Sequence, residues 1–356
     1  MSSAEDQPRG TGENNENEGQ AQPRRRRRGW IVGGIIAGGL FMLVAACVSL
    51  ILLVGLAGSD GGGTVSAPET YEEDYVFGEG DQKIAVVPVE GVISPADSGL
   101  AGTVPATTPD GLRDALQQAE DSEDVAAVIL EINSPGGGVT ASDQMYNLIN
   151  DFKESSDKPV VASMGSVAAS GGYYIATAAD EIVANATTTT GSLGVVLPLN
   201  DFTGLKETVG VDRRFITSGE FKTIGSPWTN LSQEERGILR SYVDDSFEQF
   251  VQVIVEGRGL SEERVREVAD GRIYTGSQAK ELNLVDELGD LDKAAEVSRQ
   301  RADIDEATVV RYVQPPGFVD FLQARLGSSQ SETGQLMEAA NLDLEGLPYY
   351  LYLPGR

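Results

Sequence analysis

The chain has 356 residues, with 55 acidic and 27 basic side chains, one cysteine and no histidine. Its formal net charge of −28 argues against nucleic acid as a partner and is typical of proteins that stay soluble at high salt, which predicts a halophilic source. The lack of histidine excludes a Ser–His–Asp triad and histidine-ligated metals, the single Cys47 argues against thiol catalysis and zinc–thiolate sites, and no cofactor is expected.

The first 81 residues predict a single-pass anchor in the cell membrane. Residues 1–29 are polar, contain five consecutive arginines, and predict a disordered cytoplasmic segment. Residues 30–57 are apolar and uncharged, and the stretch from Trp30 to Leu56 exceeds the roughly 20 residues that cross a lipid bilayer. A cleaved signal peptide is the alternative, although its apolar core is usually shorter. Residues 58–81 indicate a flexible linker, and all that follows is expected outside the cytoplasm.

Between residues 82 and 300, apolar runs typical of strands alternate with the periodic spacing of amphipathic helices. This alternation predicts one α/β domain over residues 82–300 with largely parallel strand pairing. The predicted strands cover residues 83–93, 125–132, 160–162, 181–184 and 191–197, and predicted helices cover residues 109–119 and the run through Met145, Leu148, Ile149 and Phe152.

The C-terminal part of this domain changes to helical patterns. Ser232-Gln-Glu-Glu235 is a capping box and predicts a long amphipathic helix to about residue 256, followed by shorter helices that are expected to pack on the α/β core. Residues 301–356 form a C-terminal extension that ends in an apolar tail at residues 347–354. Such a tail is expected to dock in a groove or to pack on its own domain.

One serine stands between a predicted strand and a predicted helix, in the run Gly165-Ser-Val-Ala-Ala-Ser-Gly-Gly-Tyr-Tyr174. The hydroxyl of Ser170 at such a turn suits a nucleophile, because the free N–H groups of the helix start can face a developing oxyanion. The alternative is an ordinary N-cap, in which the side chain accepts a hydrogen bond from the first turn of the helix.

Without histidine, a catalytic serine needs a lysine or a carboxylate as its general base. Of the seven lysines, Lys222 lies between the apolar Phe221 and Ile224, whereas most of the others lie in polar surroundings. Loss of water around this ammonium group would favour the neutral amine that a general base requires. The alternative is an ordinary loop lysine whose alkyl stem covers apolar neighbours.

The glycine-rich run Ser134-Pro-Gly-Gly-Gly138 follows a predicted buried strand, at the edge of the sheet where α/β proteins bind ligands. Its backbone N–H groups can approach a substrate closely and supply one oxyanion donor, while Gly171 supplies the other. A simple tight turn explains the same residues. The run matches neither the dinucleotide-binding nor the phosphate-loop pattern, which argues against nucleotide binding.

Four motifs along residues 82–300 together resemble the signal peptide peptidase A family, also called protease IV. They are Asn133-Ser-Pro-Gly-Gly-Gly138, Met164-Gly-Ser-Val-Ala-Ala-Ser-Gly-Gly-Tyr-Tyr174, Thr190-Gly-Ser-Leu-Gly-Val195 and Ser218-Gly-Glu-Phe-Lys-Thr-Ile-Gly-Ser-Pro227. The resemblance implies a Clp-protease/crotonase-like α/β fold of stacked β-β-α units with a helical C-terminal segment. It also implies a membrane-anchored serine peptidase that degrades signal peptides and other apolar peptides.

The resemblance further implies roles for individual residues. Ser170 matches the nucleophile and Lys222 the general base of a Ser–Lys dyad. Gly137 and Gly171 match the donors of the oxyanion hole, and Ser192 matches a serine that hydrogen-bonds the lysine. With one copy of each motif, the chain resembles the short form of the family, in which neighbouring subunits supply the two dyad residues. A homo-oligomer is therefore expected, with eight subunits as the expected number.

Three alternatives compete with this assignment. A stomatin-associated membrane-protein peptidase also uses serine and lysine, and substrate profiling would separate the two. A crotonase-like acyl-CoA enzyme shares the fold and the glycine turn, but a bilayer anchor does not suit CoA chemistry. A scaffold without activity is disfavoured because both dyad positions are intact. The apolar tail adds a separate hypothesis, in which it occupies the substrate groove as a self-ligand.

Overall fold

The computed structural model describes residues 71–95, 106–314 and 349–351, the last three at the level of the backbone. Within these ranges, no helix is both long and apolar enough to cross a bilayer. The predicted cytoplasmic segment and membrane anchor lie outside the described residues.

The described residues form eleven strands and eight helices. The strands are β1 (Glu72–Phe77), β2 (Lys83–Ile93), β3 (Ala106–Thr107), β4 (Val125–Gly138), β5 (Val160–Ala169), β6 (Glu181–Ala184), β7 (Thr189–Gly191), β8 (Ile273–Thr275), β9 (Glu287–Leu288), β10 (Thr308–Val313) and β11 (Tyr349–Leu351). The helices are α1 (Pro109–Asp121), α2 (Val139–Ser156), α3 (Gly171–Ala176), α4 (Thr203–Val209), α5 (Gln233–Arg258), α6 (Glu262–Val268), α7 (Gly276–Glu281) and α8 (Leu291–Arg301).

The main sheet has the strand order β1-β10-β2-β4-β5-β6-β9. Its central pairs are parallel, as the alternation of strands and helices predicts, whereas β1 pairs antiparallel with β10 at one edge. Short strands extend the edge of the sheet: β3 pairs with β2, β7 pairs with β5 and β8, and β11 pairs with β4. The result is a mixed sheet in an α/β fold.

The central strands are continuous apolar runs because helices cover both faces of the sheet. Alternate residues of β2 enter different clusters: Ala85 and Val87 join the large core beneath helices α1, α2, α3 and α5. Ile84 and Val86 instead pack on the opposite face, where α8 contributes Ala294. This two-sided burial holds the strand ends in a rigid frame.

The long helix α5 begins as the sequence predicts, since Ser232 and Glu235 form both hydrogen bonds of a capping box. Its buried side chains lie in the second half of the helix and include Phe250 and Ile254, whereas its first half is exposed. The helix ends at Gly259, whose φ of 61° is left-handed and therefore suits glycine. Only the C-terminal half of α5 is thus anchored on the core.

The sheet extends beyond the predicted 82–300 domain at both ends. Residues of the predicted linker form β1, and β10 comes from the predicted C-terminal extension. A difference of a second kind occurs at residues 191–197, where β7 ends at Gly191 and no strand follows to Leu197. The two added strands, β1 and β10, are held by pairing partners far away in the sequence.

Candidate active site

Two parallel strands end side by side and carry the predicted catalytic motifs. Strands β4 and β5 pair from Val128 with Val160 to Ile132 with Met164, and after an irregularity they pair again at Ser134 with Ala168. Because the carboxyl ends of parallel strands meet at one edge of a sheet, the glycine run of β4 and Ser170 lie at that edge. The chain turns from β5 directly into α3 at Ser170.

The backbone of Ser170 adopts a rare conformation, with φ of 53° and ψ of −117°. Its N–H donates to the carbonyl oxygen of Gly191 at 2.8 Å, and its carbonyl oxygen accepts from the N–H of Tyr174 at 2.8 Å. A non-glycine residue in such a region costs roughly 1–3 kcal/mol and persists only when its surroundings hold it there. Strain of this kind at a strand-to-helix turn is typical of a catalytic serine.

The side chain of Ser170 has no structural partner among the described residues. Ser170 occupies the N-cap position of α3, yet its hydroxyl makes no cap hydrogen bond. Its Oγ atom is buried without any hydrogen-bond partner. The ordinary N-cap interpretation is therefore wrong for this serine, and the hydroxyl is free for chemistry.

The two predicted oxyanion glycines lie against each other. A Cβ atom built on Gly171 would lie 2.5 Å from Ser142 Oγ and 3.2 Å from the backbone nitrogen of Gly137. A Cβ atom on Gly137 would collide with the carbonyl oxygen of Ile93. Neither position has room for a side chain, because the Ile93 backbone approaches Gly137 closely and the Ser142 hydroxyl approaches Gly171.

The glycine run is the end of a paired strand and not a tight turn, and Gly136 within it has a positive φ of 98°. Strand β4 continues through Gly138, and β2 pairs with it from one side, with Val92 opposite Gly136 and Ile93 opposite Gly137. After β5 turns away into α3, the other side pairs antiparallel with the tail strand β11, with Tyr350 opposite Gly137. A segment of the predicted apolar tail thus lies along the predicted oxyanion residues, next to α2 and α3.

Ser192 directly follows Gly191, whose carbonyl oxygen accepts a hydrogen bond from the N–H of Ser170. Its own φ is 51°, and its N–H donates to the carbonyl oxygen of Arg272 at 2.7 Å. Ser192 also lines an open cavity of about 880 Å³, whose other walls include Val195 and Phe247. The motif from Thr190 to Val195 therefore lies beside Ser170 in space.

Lys222 lies apart from these residues, on a segment that we call the arm (residues 194–232). Its side chain is exposed, so the flanking apolar residues do not shield it within a single chain. Among the described residues, Ser170 Oγ has no hydrogen-bond partner, so the amine of Lys222 is not hydrogen-bonded to it. The single chain therefore brings together Ser170, Gly137 and Gly171, but not the lysine.

The arm has an unusual surface. No residue of the arm is buried, and this includes every residue of helix α4. Thirteen large apolar side chains are exposed among the described residues, and eight of them lie on the arm. They are Val196, Leu199, Phe202, Leu205, Val209, Val211, Phe215 and Ile216.

Two residues next to the site, Ser142 and Asp143, carry no local signal in the sequence. Ser142 is buried against Gly171, and its Oγ atom has no hydrogen-bond partner in the described structure. Asp143 accepts a hydrogen bond from the hydroxyl of Tyr174 at 2.8 Å. Only the packing of α2 against α3 reveals these contacts, since the residues are about 30 positions apart.

Comparison with known protein families agrees with this architecture. The family model described as Clp protease matches residues 100–191, which include β4, β5 and Ser170. The model described as peptidase family S49 matches residues 152–305, which include Ser170 and the arm. The fold is therefore Clp-protease-like, and its strained serine lies within both matched regions.

Relatives extend the match over most of the chain. A protein of Enterococcus faecium assigned as a candidate signal peptide peptidase SppA is 32% identical over 296 residues, which cover 80% of this chain and 84% of the relative. A candidate protease of Synechocystis is 41% identical, with 58% of this chain and 73% of the relative covered. Protease 4 of Haemophilus influenzae is 31% identical over 75% of this chain and 42% of its own length.

These matches and the geometry of Ser170 define the class of the protein as a serine peptidase. The chain belongs to peptidase family S49, together with the signal peptide peptidase SppA and protease 4 relatives. The resemblance inferred from the four motifs is confirmed at the level of the family.

Proposed function

We propose that this chain is a membrane-anchored endopeptidase that uses a Ser170–Lys222 dyad to degrade signal peptides and other apolar peptides. The observation that carries the proposal is the state of Ser170. It is a buried serine in a strained turn at the edge of the sheet beside the glycine run, and its hydroxyl has no hydrogen-bond partner in the part of the chain that the structure describes. A serine with a purely structural role would use its hydroxyl in a cap or a turn.

In the proposed reaction, the neutral amine of Lys222 accepts the proton of Ser170 Oγ as that oxygen attacks the carbonyl carbon of the scissile peptide bond. The N–H groups of Gly137 and Gly171 stabilise the oxyanion of the tetrahedral intermediate, each contributing about 3–4 kcal/mol. The lysine then gives its proton to the leaving amine. Water hydrolyses the acyl-enzyme and regenerates Ser170.

We assign Lys222 to the site of a neighbouring copy of the chain. Within one chain, the nucleophile accepts no hydrogen bond and the lysine is exposed on the arm. An apolar surface as large as that of the arm is usually covered by a partner. A second copy that packs on the arm would remove water from Lys222. The contact would place this lysine beside Ser192 and Ser170 of that second copy. Ser192 would then orient the lysine by a hydrogen bond, and a closed ring, with eight subunits expected, would complete every site.

The proposed substrate binds as an added strand. The side of β4 that β5 leaves at Gly136 to Gly138 is paired by the tail strand β11, and an extended peptide can pair there through its backbone in place of β11. The antiparallel pairing of β11 with this segment supports such a binding mode. The cavity beside Ser192 is lined by the apolar Leu193, Val195 and Phe247, where apolar side chains of a peptide can pack, and also by the charged Arg240, Asp244, Asp270 and Arg272. The name of the Enterococcus faecium relative points to signal peptides as the substrate class.

The uncharged stretch at residues 30–57 supports anchoring in the cell membrane, with the peptidase domain outside the cytoplasm. This location brings the site to peptides that remain in the bilayer. It also favours a peptidase over a crotonase-like acyl-CoA enzyme.

The test is hydrolysis of an apolar signal-peptide substrate by the full chain in detergent and high salt. Ser170→Ala and Lys222→Ala are each expected to abolish turnover, whereas the control Lys206→Ala, another lysine of the arm, retains it. Mixing and reassembling the two inactive variants should restore about a quarter of the sites, because the wild-type serine and lysine then meet across subunits. Activity in Ser170→Ala would overturn the proposed nucleophile. Failure of the mixture to recover activity would overturn the shared site.

A further inference from the structure

A carboxylate lies behind the turn that carries Ser170. Oδ1 of Asp143, on α2, accepts a hydrogen bond from the Tyr174 hydroxyl of α3 at 2.8 Å and from Nε2 of Gln249 of α5 at 2.6 Å. One oxygen atom therefore joins three helices. Hydrogen bonds to an ionised acceptor are about twice as strong as those between neutral groups.

Tyr174 connects this carboxylate to the nucleophile. Its backbone N–H donates to the carbonyl oxygen of Ser170 at 2.8 Å, while its side chain is held by Asp143. Its ring also packs edge-on against Tyr146 and at a tilt against Phe250. The position of the Ser170 carbonyl thus depends on a residue that is held at its far end by Asp143.

The conformation of Ser170 makes such a tie necessary. Its positive φ costs free energy, and the turn would relax toward an ordinary region if its neighbours allowed it. One tie is the hydrogen bond from its N–H to Gly191, and the other is the hydrogen bond from Tyr174 to its carbonyl. Any movement of α3 along its axis would rotate the peptide between Ser170 and Gly171, and with it the proposed oxyanion donor.

We propose that Asp143 is a positioning residue for catalysis, which holds the strained Ser170 turn in its reactive geometry through the hydroxyl of Tyr174. The inference rests on the proposed role of Ser170 as the nucleophile. Asp143 does not contact the substrate in this scheme. The next residue toward the N-terminus, Ser142, packs against Gly171, so the first part of α2 braces the turn at two adjacent positions.

The test compares Asp143→Ala, Asp143→Asn, Tyr174→Phe and the double variant Asp143→Ala/Tyr174→Phe in the full chain. Tyr174→Phe removes only the hydroxyl that donates to Asp143 and leaves both ring contacts. This variant therefore tests the hydrogen bond even if Asp143→Ala fails to fold. Asp151→Ala is the matched control, since Asp151 is an exposed aspartate on the same helix. The readouts are kcat and KM on a peptide, the rate at which a fluorophosphonate labels Ser170, and the melting temperature.

We expect Asp143→Ala and Tyr174→Phe to lower both kcat and the labelling rate by roughly 10- to 100-fold. Peptide KM should stay within about twofold, because the change affects the geometry of reaction and not the binding groove. Asp143→Asn, which keeps an acceptor oxygen, should recover part of the loss. The double variant should be no slower than the worse single variant, because both changes break the same connection.

Two results would overturn the positioning role. One is an unchanged kcat for Tyr174→Phe at a temperature where it is fully folded, which would leave the contact with a role in stability only. The other is a double variant whose loss equals the product of the two single losses. Labelling of the wild type that disappears in Ser170→Ala establishes the nucleophile separately. The proposed function and the positioning role can therefore fail independently.

Discussion

The two proposed partners of the dyad lie in regions of opposite character. Ser170 lies among fully buried residues, between the ends of β4 and β5 and the start of α3, and backbone hydrogen bonds hold both of its peptide groups. Lys222 lies on the arm, where no described residue from Gly194 to Asp245 is buried. The surroundings of Ser170 are packed within a single chain, whereas the arm exposes apolar side chains to solvent.

The contrast shows where pre-organisation comes from in each case. Ser170, the proposed nucleophile, can be strained because a rigid core surrounds it, and that core forms during folding of the chain. A general base on an exposed segment cannot be placed to within a fraction of an ångström by the chain itself. In the proposed assembly, the contact between copies places it. Folding and assembly would then each build one half of the site.

The largest effect is expected for Gly137→Ala, within the rigid region. The new Cβ atom would collide with the carbonyl of Ile93, so the end of β4 must shift and move its N–H away from the oxyanion. Peptide turnover should fall by about 10²- to 10³-fold. The matched change on the arm is Gly204→Ala, whose Cβ atom meets nothing within 4 Å. Gly204→Ala should leave peptide turnover unchanged, and a fall in turnover equal to that of Gly137→Ala would erase the contrast between the regions.

A second effect is expected for Ile216→Asp on the arm, because this side chain is fully exposed in the single chain. A carboxylate there would be buried in the proposed contact between copies, so assembly should weaken by at least about tenfold. Light scattering should detect smaller particles, and turnover should fall with them, while circular dichroism remains unchanged. Ile216→Val is the control and should assemble normally. A full-sized, fully active Ile216→Asp protein would show that the arm is not an interface.

A smaller effect is expected on removing the tail strand that pairs with the rigid region. Truncation after Gly346 deletes β11 and leaves the strand end at Gly136 to Gly138 open to substrate. If the tail is a self-ligand, the KM for a peptide should fall by roughly two- to tenfold, because a larger fraction of sites is accessible. Truncation after Leu351 keeps the strand and should behave as the intact chain does. Unchanged activity and assembly after the longer truncation would refute the self-ligand hypothesis.

The smallest effect is expected from salt. With a net charge of −28, like charges repel at low ionic strength, and salt screens this repulsion. The free energy of unfolding should rise by on the order of 1 kcal/mol between 0.1 M and 2 M KCl. Chemical denaturation at both concentrations measures it. Equal stability in dilute buffer and in molar salt would contradict the hypothesis of a halophilic source.

Local patterns predict much of this fold. The apolar run from Val125 to Ile132 is a buried strand because helices cover both faces of the sheet, and the capping box at Ser232 starts α5 as expected. The strand-to-helix position of Ser170 was also visible in the residues around it. Such features depend on neighbours within a few positions, so a sequence reveals them directly.

Other features depend on partners that are distant in sequence. Strand β1 joins the sheet only through β10, some 240 positions later, and the glycine run is extended because β2 and β11 pair with it. Read alone, Ser134-Pro-Gly-Gly-Gly138 is equally consistent with a tight turn. The contact between Asp143 and Tyr174 likewise requires two helices to pack side by side.

The sequence by itself determined the family, the α/β class and the candidate residues Ser170, Lys222, Gly137, Gly171 and Ser192, because short motifs carry chemistry that local composition reveals. Only the tertiary structure decided that Ser170 is strained with an unpartnered hydroxyl, that Gly137 and Gly171 meet, and that Lys222 stands apart on an exposed arm. The physical reason is that burial and hydrogen-bond satisfaction are properties of the packed chain. No window of neighbouring residues contains the groups that determine them.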